Sequence, residues 1–146
     1  MFFEDIPLHK RIKIDGVRIE KEKMIAFAQE YDPIPLHTDE EYAKASPFGG
    51  LIAPGVMSFM SVWAKYLEQD LLGEELIAGV STKIEWEKPV YADDVLEAEA
   101  EVTALTVRNE RNGLVEIRMR IWNQDGVVVM RNTTEAVVKR RDVSKV

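Results

Sequence analysis

A segment from Val56 to Leu67 limits the folds that this chain can adopt, because apolar residues occupy nearly every position in it. Read as a helix, the segment is apolar nearly all round, and such a helix is buried on most of its sides. Its methionine and aromatic residues therefore indicate core packing. Two serines break the apolar surface, Ser58 and Ser61, and they are the candidates in this helix for facing a pocket.

The second half of the chain is predicted to form the strands that cover this helix. Apolar residues alternate there with charged ones, which is typical of strands with one buried face. The turns are predicted at three dipeptides: Asp93-Asp94, Asn112-Gly113 and Asp125-Gly126. We predict a four-strand antiparallel meander, preceded by an opening strand region between Leu8 and Ile19 with a turn or bulge at Asp15-Gly16. Together these elements form an α+β domain over residues 1–146, with a sheet of about five strands covering one helix.

Two shorter helices are predicted between the opening strand and the apolar segment. The first runs from Glu20 to Tyr31 and ends where Asp32 precedes a proline. The second begins with a capping box, in which Thr38 is the N-cap and Glu41 is at the third position. We interpret the carboxylates there as helix-start charges rather than metal ligands, because one histidine without cysteine is a poor ligand set. No metal site and no cofactor are therefore predicted.

Composition excludes some classes of binding partner. The net charge of −7 argues against a general nucleic-acid binder and gives no attraction to anionic lipids or phosphates. The N-terminus lacks the basic start and apolar core of a signal peptide, and the longest uncharged run, Pro47 to Ala64, is interrupted by Gly, Pro and Ser. We therefore expect a cytoplasmic protein without a membrane or a nucleic acid among its partners. The absence of cysteine excludes disulfides and thiolate chemistry.

The candidate chemistry lies just before the apolar helix. Asp32 and His37 are joined by a segment with two prolines, which is stiff enough to hold a carboxylate and an imidazole at a fixed separation. Further on, Gly55 opens the apolar helix, and the first amides of a helix are free donors. A structural interpretation is also open, in which Asp32 only ends a helix and His37 is a hydrogen-bonded loop residue. A helix C-terminus is, however, an unfavourable place for a carboxylate.

The stretch resembles a known family. The matching residues are Asp32, Pro35, His37, Asp39, Phe48, Gly49, Ile52, Ala53 and Gly55, and the later stretch KPVYADDVLEAEAEVTAL is similar as well. This pattern resembles that of the MaoC-like dehydratases, which include the (R)-specific enoyl-CoA hydratases and have the hotdog fold. The resemblance extends from about Arg18 to Lys139. It implies a long central helix wrapped by a curved antiparallel sheet.

The resemblance also implies a reaction and the residues that perform it. Asp32 and His37 would hold the water that adds to a trans-2-enoyl-CoA, giving a (3R)-3-hydroxyacyl-CoA, as in fatty acid metabolism. The backbone amide of Gly55 would bind the thioester oxygen. Hotdog proteins usually form homodimers or assemblies of dimers with sites at the interface, and the three tryptophans, Trp63, Trp86 and Trp122, are candidates for that contact.

One position departs from the family pattern. Ile34 stands where the hydratases carry Asn, and Ile cannot form hydrogen bonds. Ser58 or Ser61 could replace the missing amide in a pocket beside position 34. Two other functions stay open: a thioesterase, in which Asp32 directs water at the carbonyl carbon, and a non-catalytic protein that binds acyl thioesters.

Overall fold

The computed structural model describes residues 1–69 and 71–142. Helices occupy the first half of the chain: α1 (Lys21–Tyr31), α2 (Pro35–Thr38), α3 (Glu40–Ala45) and α4 (Gly55–Leu67). The strands are β1 (Arg11–Arg18), β2 (Leu76–Trp86), β3 (Val95–Val107), β4 (Asn112–Trp122) and β5 (Val128–Lys139). The α+β class expected from the sequence is confirmed. None of the helices in the described part of the chain has the length and apolarity that a membrane crossing requires.

The strands form one antiparallel sheet in the order β1-β3-β4-β5-β2. The predicted four-strand meander is therefore wrong for β2, which pairs with β5 at the far edge, whereas β3, β4 and β5 do form a meander. Tight turns join antiparallel neighbours, but the connection from β2 to β3 is long and contains Pro89. This connection also pairs with the loop before α4 through a bridge between Tyr91 and Ile52. The crossover leaves β2 with one unpaired edge.

Bulges bend the strands around α4. The predicted irregularity at Asp15-Gly16 is confirmed as a bulge in β1, where the register shifts between Ile14 and Val17 and Gly16 has φ 57°. The other neighbouring pairs of strands also contain register shifts. A bulge increases local twist and bends its strand, which allows a sheet to curve round a helix.

The turn predicted at Asn112-Gly113 is wrong, because these residues begin β4. The chain turns just before them, where the side-chain oxygen of Asn109 accepts hydrogen bonds from the backbone N–H groups of Arg111 and Asn112. Gly113 is instead needed for packing, since a β-carbon there would lie 2.4 Å from Cδ2 of Phe3.

The N-cap predicted at Thr38 is also wrong by one residue. Pro35 occupies the first turn of α2, so residue 38 is still helical, and its hydroxyl donates to the carbonyl of Ile34 at 3.2 Å. The cap of α3 is Asp39, whose carboxylate accepts from the N–H of Tyr42 at 3.1 Å. The interpretation of Asp39 as a helix-start charge is thereby confirmed.

Helix α4 packs on the inner face of the sheet with only part of its surface. The core includes Phe59, Val62 and Tyr66 of α4 together with apolar residues of every strand except β2. Val56 and Met60 are about half exposed, as is Leu67 at the end of the helix. The expected burial on most sides is therefore wrong for the single chain, which leaves an apolar stripe of α4 uncovered.

Tyr66 provides a test of the packing. The residue is 3% exposed, and burial raises the pKa of its hydroxyl to about 12. Its oxygen has no hydrogen-bond partner among the described residues. Below pH 10 the hydroxyl is protonated in both the folded and the unfolded protein. Above pH 10 the unfolded chain loses the proton first, so the free energy of unfolding falls as the pH rises toward 12.

We expect Tyr66→Phe to avoid this loss. Between about pH 10 and about pH 12 the wild type should lose about 2 kcal/mol more in free energy of unfolding than the variant. Urea unfolding at both pH values measures the difference. The control is Tyr42→Phe, at an exposed tyrosine, which should behave as the wild type does. Equal losses in the wild type and in Tyr66→Phe would show that Tyr66 ionises as freely in the folded protein as in the unfolded chain.

Candidate active site

The turn after α1 brings Asp32 close to His37. The N–H of Asp32 caps α1 by donating to the carbonyl of Ala28 at 2.8 Å, and the N–H of Ile34 donates to the carbonyl of Asp32 at 2.8 Å. The proline between them suits this tight turn because its φ is fixed. Pro35 then starts the single turn of α2 that carries His37. The stiff segment inferred from the sequence thus has a definite shape, a turn followed by one helical turn.

His37 is held in one orientation by both ring nitrogens. It is 6% exposed, and its Nδ1 lies 2.6 Å from the carbonyl oxygen of Ile52. Because a carbonyl only accepts, Nδ1 carries the hydrogen of this bond. Nε2 lies 3.2 Å from Oδ2 of Asp32, whose side chain is 45% exposed. Nε2 is therefore the nitrogen that can exchange a proton with Asp32 or with a bound molecule.

The loop before α4 is fixed to the elements on either side. The N–H of Ile52 donates to the carbonyl of Leu36 at 3.2 Å, and the N–H of Ala53 donates to the carbonyl of Val90 at 2.7 Å. Ile52 thus binds α2 through both its N–H and its carbonyl. These contacts place the start of α4 next to His37. Ile52 belongs to the family pattern, but its residue type does not indicate this role, because the acceptor is a backbone atom.

A cavity of about 770 Å³ opens at this point. Its lining residues are Phe27, Tyr31, Asp32, His37, Phe48, Ile52, Ala53, Pro54, Gly55, Val56, Ser58, Trp86, Glu87, Lys88, Pro89 and Val90. Most of these side chains are apolar, whereas Asp32 and His37 contribute a carboxylate and an imidazole to the lining. An apolar cleft with a few convergent polar groups is the usual form of a small-molecule site.

The start of α4 reaches the same cavity. No side chain caps this helix, and the N–H of Gly55 has no acceptor among the described residues. Such an end carries a partial positive charge that favours an anion or a developing negative charge. Trp86 covers Gly55 closely, since a β-carbon at position 55 would lie 2.3 Å from its Cε2. A side chain at position 55 would therefore require the indole or the start of α4 to move.

The structure separates the remaining candidates. Ser58 lines the cavity and is buried, but its hydroxyl donates to the carbonyl of Gly55 at 2.9 Å. Ser61 does not line the cavity, and its hydroxyl donates to the carbonyl of Met57 at 2.9 Å. Ile34 is 43% exposed and does not line the cavity either. Neither serine is thus positioned with a free hydroxyl to replace an amide at position 34.

Trp86 is a cavity residue that sequence reasoning did not identify. The sequence places it only at a subunit contact, as the resemblance to dimeric hotdog proteins implies. No local signal relates position 86 to position 55, since the contact exists only after β2 has taken its place at the sheet edge.

The comparison with known families agrees with this geometry. Residues 4–124 match the family model of the MaoC like domain. The chain belongs to the MaoC-like family. The match begins before the region of resemblance seen in the sequence and ends before β5. Residues Asp32, His37 and Gly55 all lie within it.

Relatives of known name support the same family and fold. The chain is 32% identical over 114 residues to an (R)-specific enoyl-CoA hydratase of Aeromonas caviae, covering 78% of each protein. An uncharacterized protein of Bacillus subtilis, YdeM, is 28% identical over 96% of this chain and 100% of that protein. A solved MaoC-like dehydratase of Rhodospirillum rubrum superposes with a TM-score of 0.86 at 35% identity, covering 97% of this chain and 98% of that one. The α+β hotdog fold is thus shown.

Proposed function

We propose that this protein is an acyl-CoA hydratase/dehydratase, which adds water reversibly to a trans-2-enoyl-CoA to give a (3R)-3-hydroxyacyl-CoA. The observation that carries the proposal is the contact of 3.2 Å between Nε2 of His37 and Oδ2 of Asp32, at the wall of an apolar cavity. The N–H of Gly55, which has no acceptor in the described part of the chain, lies at the same cavity and would be the donor that thioester chemistry needs.

The proposed reaction uses the pair as base and acid. A water molecule in the cavity gives a proton to the carboxylate of Asp32 as its oxygen bonds to the β-carbon. Nε2 of His37 gives a proton to the α-carbon, and the proton on Asp32 then passes across the 3.2 Å contact to restore the pair. The negative charge that develops on the thioester oxygen is stabilised by the N–H of Gly55 and the dipole of α4. Dehydration is the same sequence in reverse.

The sequence similarity to an (R)-specific enoyl-CoA hydratase favours hydration over the two alternative functions, thioesterase and non-catalytic binder. A thioesterase would direct a water from Asp32 to the carbonyl carbon, and a binder would use the cavity without chemistry. Ile34, which stands where the hydratases carry Asn, is exposed and lies outside the cavity. Because a side chain outside the cavity is not required to orient the water, this substitution does not favour either alternative over hydration. Asp32 and His37 already contact each other without a third polar side chain.

Incubation with crotonyl-CoA separates the three functions. Loss of the enoyl absorbance without release of free thiol is the expected result and identifies a hydratase. Release of thiol would identify a thioesterase instead. Binding of the thioester with neither change would identify a non-catalytic binder.

We also propose that the protein is a homodimer formed along β2. All residues of this strand except Ile84 are exposed, and one of its edges pairs with no strand of the described residues. The strand borders a second cavity, of about 290 Å³, which is lined by Leu67 of the uncovered stripe of α4 and by Leu76. A second copy would pair with the edge and cover this apolar cavity in one contact.

Sedimentation tests the dimer. We expect the wild type at micromolar concentration to sediment at twice the mass of the 16.7 kDa chain. Val80→Lys puts a charge on the exposed edge strand β2 and should shift the protein toward monomer. The control is Val107→Lys, at an equally exposed valine that ends β3. A monomeric wild type, or dimers lost equally in both variants, would contradict an interface at β2.

A further inference from the structure

The indole of Trp86 lies beside Gly55, whose N–H is proposed to bind the thioester oxygen. A β-carbon at position 55 would be 2.3 Å from Cε2 and 2.4 Å from Nε1 of Trp86, so the nitrogen-bearing edge of the ring is beside the first residue of α4. The same side chain lines the cavity that contains Asp32 and His37. We propose that Trp86 is a further catalytic residue, whose indole N–H donates a second hydrogen bond to the thioester oxygen alongside the backbone N–H of Gly55.

Both donors lack an acceptor among the residues that the structure describes. An indole N–H can only donate, and within residues 1–69 and 71–142 the Nε1 of Trp86 has no acceptor. The N–H of Gly55 has none in the same part of the chain. Trp86 is 51% exposed, and its side chain lines the cavity. Two neighbouring donors without acceptors fit one ligand oxygen, which can accept two hydrogen bonds.

The proposed reaction has a use for two N–H donors at the thioester oxygen. In the hydration proposed above, on which this inference rests, the electrons of the C=C double bond move toward the thioester oxygen as the water oxygen bonds to the β-carbon, before the α-carbon is protonated. No bond to Trp86 forms or breaks, and its proton stays on the indole. A donor that is fixed before the reaction stabilises the charge most when the charge is largest, so it lowers the barrier more than it tightens substrate binding.

A packing role for the ring makes a different prediction. If Trp86 only covers the start of α4, a phenyl ring retains most of that contact. Trp86→Phe removes the N–H and keeps an aromatic ring, and we expect it to lower kcat for crotonyl-CoA by on the order of 10²-fold with a small change in KM. The control is Trp122→Phe, at the end of β4 outside the cavity, which should retain wild-type kcat.

A second measurement does not depend on turnover. Acetoacetyl-CoA forms an enolate whose negative oxygen is a stand-in for the charged thioester, and the enolate is detected by its ultraviolet absorption. Bound to the wild type or to Trp122→Phe, the ligand should form the enolate at a lower pH than when bound to Trp86→Phe. Wild-type kcat together with unchanged enolate formation in Trp86→Phe would overturn the proposal.

The two readouts distinguish this inference from the proposed function. If the wild type does not hydrate crotonyl-CoA but Trp86→Phe still shifts enolate formation, the hydratase proposal fails and the assignment of Trp86 as a donor stands. If the wild type hydrates crotonyl-CoA and Trp86→Phe changes neither measurement, the hydratase proposal stands and Trp86 is a packing residue.

Discussion

Asp32→Asn is expected to lower kcat for hydration of crotonyl-CoA by on the order of 10² to 10⁴ while leaving the fold intact. The amide has the shape of the carboxylate but cannot take a proton from water. Because the Asp32 side chain is half-exposed at the cavity, no buried packing is lost. Initial rates measured by loss of the enoyl absorbance, with circular dichroism of the same samples, test this expectation.

His37→Ala should cause a loss of similar size, since it removes the group that gives a proton to the α-carbon. It also leaves the carbonyl of Ile52 without its donor and creates a small cavity, so some loss of stability accompanies the loss of rate. Matched controls are Asp15→Asn and His9→Ala, because both residues are exposed and lie outside the cavity. Near-wild-type turnover in either site variant, with an unchanged dichroism spectrum, would remove that residue from the mechanism.

Gly55→Ala is the second change for which we expect a large effect. The added methyl group would lie 2.3 to 2.7 Å from three ring atoms of Trp86, so the indole or the start of α4 must move. Overpacking of this kind costs roughly 1 to 3 kcal/mol of stability. Displacement of the Gly55 N–H from the thioester oxygen should lower kcat by on the order of 10² to 10³, as loss of an oxyanion donor does.

Gly50→Ala is the matched control for this substitution. It lies in the loop before α4, and its nearest neighbour for a new β-carbon is Cδ1 of Tyr91 at 4.0 Å, an ordinary contact. Melting temperature and kcat should therefore stay close to the wild type. A Gly55→Ala protein with wild-type melting temperature and kcat would show that the indole of Trp86 moves aside at no cost and that the N–H of residue 55 keeps its position, contrary to this expectation.

The sequence predicts the central helix and the catalytic candidates because their signals are local. The apolar residues of Val56–Leu67 require a covering sheet, and the alternation that follows provides one. The proline-containing segment between Asp32 and His37 fixes their separation, which the structure shows as a contact of 3.2 Å. Their chemical roles remain predictions for the variants above.

Other features could not be predicted because they depend on the partner of each strand. Alternation shows which side chains of β2 share a face, but it does not show that β2 pairs with β5 and leaves an open edge. The contact of Trp86 with Gly55 and the exposed stripe of α4 both follow from that placement. At Thr38, two valid signals competed: the capping box favoured a cap there, whereas Pro35 started a helical turn earlier.

The product formed from crotonyl-CoA in D₂O tests the central claim most directly. Addition of water by Asp32 and His37 predicts (3R)-3-hydroxybutyryl-CoA with a single deuterium bound to the α-carbon, identified by chiral chromatography and mass spectrometry. The Asp32→Asn protein should give little of it in the same time. Free CoA with crotonate, or the (3S) product, or unchanged crotonyl-CoA from the wild-type protein, would contradict the account.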